Sequence, residues 1–176
     1  MEKKTIFDLH RVDVEEYRSL HKMPLVIVAD NIRSLNNIGS LFRTADAFLV
    51  SELMLCGITA CPPSSEIHKT ALGAELSVKW SYWDTTATCV EALRADGYEI
   101  CVLEQVKRSV ALQDFCPERT RRYALVLGHE VEGVDQDIVD RADHCIEIPQ
   151  AGTKHSLNVS VAAGIAMWHF FRALHL

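Results

Sequence analysis

Several signatures are missing from this chain of 176 residues. No segment reaches the run of about 18 apolar residues that a membrane span needs. The opening from Met1 to Lys4 and onward is charged and lacks the apolar core of a signal peptide, so the expectation is a cytoplasmic protein that does not touch a membrane. The six cysteines, Cys56, Cys61, Cys89, Cys101, Cys116 and Cys145, form no CxxC pair and no zinc-finger spacing. Some sit in apolar runs such as Glu99-Ile100-Cys101-Val102-Leu103, where a thiol behaves as a small core residue. Structural thiols and no metal are expected. Neither GxGxxG nor the phosphate-cradling GxxxxGK(S/T) occurs, so a Rossmann-type nucleotide enzyme is the weakest option. No GxSxG elbow is present, and Ser-His-Asp hydrolysis has no starting point. An excess of positive charge is also missing. Eighteen Lys and Arg against 24 Asp and Glu leave a formal charge of −6, so any binding to nucleic acid must come from local patches.

What remains is an ordinary globular composition, 48% hydrophobic and 24% charged, of a length that suits one domain. Residues 5–22 carry Ile6, Leu9, Val12, Val14, Tyr17 and Leu20 among charges, a short lead and an amphipathic helix ending before Pro24. The run Leu25-Val26-Ile27-Val28-Ala29 reads as a fully buried strand. A polar stretch from Asp30 to Asn37 precedes a helix from about Ile38 to Phe48. Further strands are expected at 53–56, 98–103, 123–127 and 145–148, with helices near 65–72, 85–96 and 134–141 and a long final helix from Ser156 to about Ala173. Alternating strands and helices predict an α/β domain with a mainly parallel sheet. The final helix is apolar on nearly every side, so it is either wrapped by its own domain or shared with a second subunit.

Three loops at the ends of buried elements carry the candidate chemistry, since ligands of open α/β sheets bind outside the carboxyl ends of strands. In Asn36-Asn37-Ile38-Gly39-Ser40-Leu41-Phe42-Arg43-Thr44-Ala45, an asparagine can cap a helix and Gly39 permits close approach of another backbone. Asn37 and Arg43 are about 1.7 turns apart and face different sides. Arg43 lies among apolar neighbours and calls for an anionic partner, either a structural carboxylate or a phosphate. In Leu127-Gly128-His129-Glu130-Val131-Glu132-Gly133, a glycine-bounded turn bearing carboxylates is a poor phosphate site but suits a hydroxyl-rich or cationic ligand; solvated glutamates on a tight turn are the alternative. The third runs from Ile148-Pro149-Gln150 through Lys154-His155-Ser156-Leu157-Asn158-Val159-Ser160. Ser156 there is a natural helix cap, and Lys154, Asn158 and Ser160 gather at the same end.

Together these segments resemble the three motifs of the SpoU–TrmH branch of the SPOUT RNA methyltransferases: Asn37-x5-Arg43-Thr44-Ala45, Leu127-Gly128-His129-Glu130-x2-Gly133, and Ile148-Pro149 with Ser156-Leu157-Asn158-Val159-Ser160. The resemblance runs from about Pro24 to Leu174 and departs at His129, a position often asparagine in this branch. It implies a lead over residues 1–23 and a methyltransferase domain over 24–176, an α/β fold whose C-terminal part is threaded into a trefoil knot, and a homodimer with active sites near the subunit interface. It also implies transfer of a methyl group from S-adenosylmethionine, leaving S-adenosylhomocysteine, to a ribose 2′-hydroxyl of tRNA or rRNA.

By matching position, Arg43 would stand at the reaction centre with Asn37 beside it, and Glu130, Ser156 and Asn158 would be the other functional positions. An arginine is by nature a poor base. The implied role is to engage an RNA phosphate, orient and polarise the hydroxyl and accept its proton in the transition state, with much of the acceleration coming from alignment. Leu103, Glu104, Leu127, Gly128, Ile148, Gln150, Ser156 and Leu157 would line the cofactor pocket. RNA contacts would come from Lys3, Lys4, Arg11, Arg18 and Lys22 in the lead and from Arg33, Lys69, Lys107, Arg108, Arg119, Arg121, Arg122 and Lys154. The competing readings are a non-catalytic RNA-binding relative and a methyltransferase acting on a base nitrogen.

Overall fold

The structure is a computed structural model and describes residues 1–5, 8 and 11–176. The apolar run at 25–29 is the middle of β1 (Met23–Asp30), buried on both faces. It pairs in parallel with β2 (Val50–Cys56) on one side and β6 (Arg122–Leu127) on the other. The remaining strands are β3 (Trp80–Trp83), β4 (Tyr98–Leu103), β5 (Val110–Ala111) and β7 (His144–Glu147). They complete a seven-stranded sheet of order β3-β2-β1-β6-β4-β7-β5 in which every strand pairing is parallel.

Alternate residues of the central strands feed two cores. Leu25, Ile27, Leu53, Leu55, Tyr123 and Leu125 join one cluster with Ile38, Phe42, Met167 and Phe170. Val26, Val28, Met54, Ile100, Val102, Ala124 and Val126 join the other with Val90, Leu93 and Ile138. The first face is covered by α2 (Leu35–Ala47) and α7 (Val159–Leu174), with α3 (Ser65–Ala71) and α4 (Ala74–Ser77) packed against α2 and α1 (Val14–Ser19) against α4. The second is covered by α5 (Thr86–Ala95) and α6 (Gln136–Asp140). Each such buried Leu, Ile or Phe contributes about 1.5–3 kcal/mol relative to exposure.

The structure moves several expected boundaries. The second helix starts at Leu35, a turn before Ile38, because Ser34 supplies the cap and accepts the Asn37 amide at 3.3 Å. The final helix starts at Val159, and its cap is Asn158, whose Oδ1 accepts the amides of Ser160 (2.9 Å) and Val161 (3.4 Å). Ser156 is therefore not the cap; it lies in the exposed crossing segment that leads from β7 to α7. The lead helix is confined to Val14–Ser19, capped by Asp13; the expected apolar positions Ile6 and Leu9 fall outside the described residues. β7 ends one residue before Ile148. β3 was not foreseen: an edge strand with partly exposed side chains has no continuous apolar run to mark it. β5, two residues long, left no sequence signal either. No helix of the described residues is long and apolar enough to cross a membrane.

Candidate active site

The carboxyl ends of three adjacent strands, β6, β4 and β7, open onto a cavity of about 680 Å³ lined by Leu103, Leu127, Glu147 and the loops that follow each strand. This is within the size range of small-molecule sites. The loop after β6 is shaped by its glycines. A Cβ on Gly128 would lie 2.1 Å from the Gly133 carbonyl carbon, and one on Gly133, at φ +74°, would lie 2.2 Å from a Glu104 carboxylate oxygen. The two ends of the turn touch, closed by paired backbone bonds between His129 and Gly133 at 3.0 and 2.9 Å. Across the turn, His129 Nδ1 accepts the amides of Val131 and Glu132, both at 3.2 Å. The neutral ring therefore carries its proton on Nε2. An asparagine side-chain oxygen can accept the same two amides in an Asx-type turn.

Carboxylates tie this turn to its neighbours. Glu104, at the end of β4, accepts the Val134 amide at 3.1 Å and the Gln105 amide at 2.8 Å. Glu130 accepts the backbone amides of Ser34 (3.0 Å) and Arg33 (3.1 Å) and the Asn37 side-chain amide (3.0 Å). Partial burial alone pushes the Glu130 carboxyl up, but these donors outweigh it and hold it below its ordinary value. Asn37 Oδ1 in turn accepts the Asn158 amide at 3.1 Å. One chain of bonds thus links the loop after β6, the first turn of α2 and the cap of α7. Gln105 adds a second tie, donating its side-chain amide to the His155 carbonyl at 2.8 Å.

The charge of the lining is one-sided. Among the described residues it holds the four glutamates Glu104, Glu130, Glu132 and Glu147 and no lysine or arginine. Such a cavity repels a phosphate and suits a neutral or cationic ligand.

The chain matches the SpoU rRNA Methylase family over residues 24–168. That span is more than four fifths of the chain. The chain belongs to the SpoU rRNA Methylase family. Among similar sequences are the tRNA (guanosine(18)-2′-O)-methyltransferase TARBP1 of Mus musculus, 30% identical over 84% of this chain and 9% of that protein, and the 23S rRNA (guanosine-2′-O-)-methyltransferase RlmB of Vibrio cholerae, 29% identical over 93% of this chain and 65% of the other. Among similar structures is an AdoMet-bound rRNA methyltransferase from Sinorhizobium meliloti, with TM-score 0.80 and 26% identity over 91% of this chain and 61% of that one. The chain spans less than two thirds of the length of each of these three.

Placed on this SpoU-family fold, the residues expected at the cofactor, Leu103, Glu104, Leu127, Gly128, Ile148, Gln150, Ser156 and Leu157, all line the cavity. Of the residues expected to be catalytic, Glu130, Ser156 and Asn158 also line it. Asn37 is buried behind it, bonded to Glu130 and Asn158. Arg43 is set apart: it is exposed on α2, lies outside the lining, and makes no ion pair or hydrogen bond among the described residues. Gly39 serves helix packing, since a Cβ there would lie 2.3 Å from the Ile67 carbonyl of α3. Asp30 was missed from sequence. Buried at the end of β1, it accepts the Asp135 amide at 3.1 Å and the Thr86 hydroxyl, anchoring the starts of α6 and α5. A lone aspartate after an apolar strand gave no signal for this. Glu132 and Glu147 also join the lining without having been singled out as site residues.

Proposed function

We propose that this chain methylates a ribose 2′-hydroxyl of tRNA or rRNA, using S-adenosylmethionine held in the cavity at the carboxyl ends of β6, β4 and β7. The observation that carries the reading is the acid-lined cavity without a lysine or arginine, in a domain of the SpoU family. The named relatives, an rRNA and a tRNA 2′-O-methyltransferase, support the substrate class, and the AdoMet-bound structure supports the ligand. The residues fit that ligand. Leu103, Leu127, Ile148 and Leu157 offer apolar surface for an adenine, Gln150 and Ser156 offer polar groups, and the glutamates suit a cation. When bound, S-adenosylmethionine supplies a methyl group made electrophilic by its sulfonium charge.

The chain's own residues supply order and polarisation. Glu130 and Asn37 fix the loop after β6 against α2, and Asn158 joins the start of α7 to them. Arg43, engaged with an RNA phosphate, orients and polarises the ribose hydroxyl. To accept the hydroxyl proton it must first lose one of its own to water, and it then takes the hydroxyl proton as the methyl carbon exchanges its bond to sulfur for one to the ribose oxygen. Because Arg43 stands outside the cavity of its own chain, Arg43 of a second copy completes the site. α7 supports this dimer. Val161, Ile165 and Trp168 follow one another at helical spacing and are 51, 41 and 48% exposed, and α7 meets α2 where Gly164 faces the Thr44 methyl.

Residues 24–176 form the catalytic domain and 1–23 the lead, acting with RNA in the cytoplasm. The C-terminal part is threaded as the family's trefoil knot. In support, the segment after β7 crosses from the β4 side to α2, bonded on the way to Gln105 through His155 and to Asn37 through Asn158.

The test is transfer of labelled methyl from S-adenosylmethionine to separated tRNA and rRNA lacking modifications, followed by nuclease digestion and nucleoside analysis, with Arg43→Ala alongside. Label in a 2′-O-methyl nucleoside, lost at least a thousandfold in Arg43→Ala with donor affinity retained, supports the proposal. Label in a base, or none despite donor binding, overturns it in favour of base methylation or a non-catalytic relative. Near-normal turnover by Arg43→Ala sinks the role given to that residue.

A further inference from the structure

The basic residues divide by where they sit on the sheet. Those that precede or open a strand from its amino end are committed to protein partners. Lys22, before β1, lies over the Tyr17 ring, 3.3 Å from its centroid. Lys79, before β3, pairs with Glu52 at 2.7 Å. Arg94, before β4, pairs with Asp143 at 3.2 Å. At β6, Arg121 pairs with Glu118 and Arg122 with Asp96, both at 3.1 Å. Arg141, before β7, pairs with Glu91 at 3.0 Å and Asp137 at 2.9 Å.

At the carboxyl ends the pattern reverses. Arg33 follows β1, Lys107 and Arg108 follow β4, and Lys154 follows β7. All four are exposed, and their side chains make no ion pair or hydrogen bond among the described residues. None lines the cavity, but each is tied to a residue that does. The Arg33 amide binds Glu130, Lys107 and Arg108 continue from the lining residues Gln105 and Val106, and Lys154 adjoins the lining residue His155. Lys69, after β2, is paired only with Glu66 on its own helix. Arg43 on α2 is also free and has the role proposed above, and Arg172 is free but lies in the last turn of α7, about 20 Å of helix from Asn158.

We propose that Arg33, Lys107, Arg108 and Lys154 form a rim that grips RNA phosphates around the cavity mouth; this deepens the methyltransferase reading and rests on it. Free exposed cations can neutralise phosphates and release counterions without first giving up a protein partner. The glutamates inside the cavity repel phosphates, so rim and lining together hold the RNA backbone at the mouth and out of the donor site. Interaction with RNA thus comes from a local ring of cations on a chain whose net charge is negative. It does not require Arg18, Lys22, Arg119, Arg121 or Arg122, which are engaged within the protein.

The test compares two variants of equal net charge. One carries Arg33→Ala, Lys107→Ala, Arg108→Ala and Lys154→Ala; the other carries Lys79→Ala, Arg94→Ala, Arg122→Ala and Arg141→Ala. Binding to fluorescent unmodified tRNA transcripts and to a poly(U) 20-mer is measured by anisotropy across salt concentrations, with S-adenosylmethionine affinity measured calorimetrically on each. The rim variant is expected to lose about thirtyfold or more in RNA affinity and to lower the log–log salt slope by about 3. Its donor affinity should stay at the wild-type value, and the second variant should bind RNA as wild type does. Wild-type RNA affinity in the rim variant, or equal losses in both, overturns the rim while leaving the methyltransferase reading in place. Failure of the wild type to bind either RNA overturns both.

Discussion

The two ends of the parallel sheet solve the same electrostatic problem in opposite ways. At the amino ends, Lys79, Arg94, Arg121, Arg122 and Arg141 are matched with carboxylates, Arg141 with both Glu91 and Asp137. Charge there is neutralised locally. At the carboxyl ends, Asp30, Glu104 and Glu130 are satisfied by uncharged donors instead, chiefly backbone amides. Backbone donors carry no net charge, so the acids keep their field and the nearby cations Arg33, Lys107, Arg108 and Lys154 keep theirs. The working end thus holds charge separated, acid inside and base outside, while the other end commits its charge to surface pairs of small value.

The largest effect on this contrast should come from closing the acidic side. In Gly128→Ala the new Cβ meets backbone at 2.1 Å, which a side-chain rotation cannot relieve. The turn should open at a cost of about 1–3 kcal/mol, and donor affinity should fall at least tenfold by calorimetry. Wild-type affinity would mean that the close approach of Gly128 to Gly133 does not shape the site.

A middle-sized effect is expected from Glu130. Its carboxyl is held low in the folded protein, so its contribution is present above the unfolded value of about 4.3 and is lost as pH falls through the folded value. Glu130→Gln should lower stability at pH 7 by about 1 kcal/mol through lost hydrogen bonds. The gap in Tm from wild type should narrow as melts are taken below about pH 4.3. A gap that is constant with pH would show that the amide contacts do not depend on the charge.

The smallest effect should lie at the amino end. Arg122→Gln removes the pair with Asp96 and the stacking over Tyr98, 4.5 Å from the ring centroid. Stability should change by about 1 kcal/mol or less, and methyl transfer should be unchanged. A clear loss of transfer would break the division between the two ends.

Much of this arrangement was legible in the amino-acid sequence, for identifiable reasons. The buried strands at 25–29 and 123–127, and the inner half of the one at 98–103, are marked in the sequence because a strand covered on both faces must be apolar where it is covered. The three polar segments met at one end of the sheet because parallel strands put all their exits on the same side. Other features depend on three-dimensional neighbours and left no local trace. Ser156 and Asn158 are both good caps, and Asn158 takes the role in contact with Asn37, 121 residues away in sequence. Among the described residues no anion pairs with Arg43, since its helix turns that side chain to solvent. Which cations are free also could not be read locally: Arg94 and Asp143 pair across 49 residues. His129 departs from the usual asparagine yet supplies an acceptor for the same kind of turn, an equivalence visible only once its Nδ1 is seen between two amides.

The most direct measurement of the charge separation is calorimetric titration of the wild-type chain with S-adenosylmethionine and, separately, with ATP, which shares the adenosine but carries phosphates. Charge separation predicts saturable binding of S-adenosylmethionine, one per chain, and no competition from ATP. Binding of ATP in competition with S-adenosylmethionine, or no binding of S-adenosylmethionine at all, would contradict it.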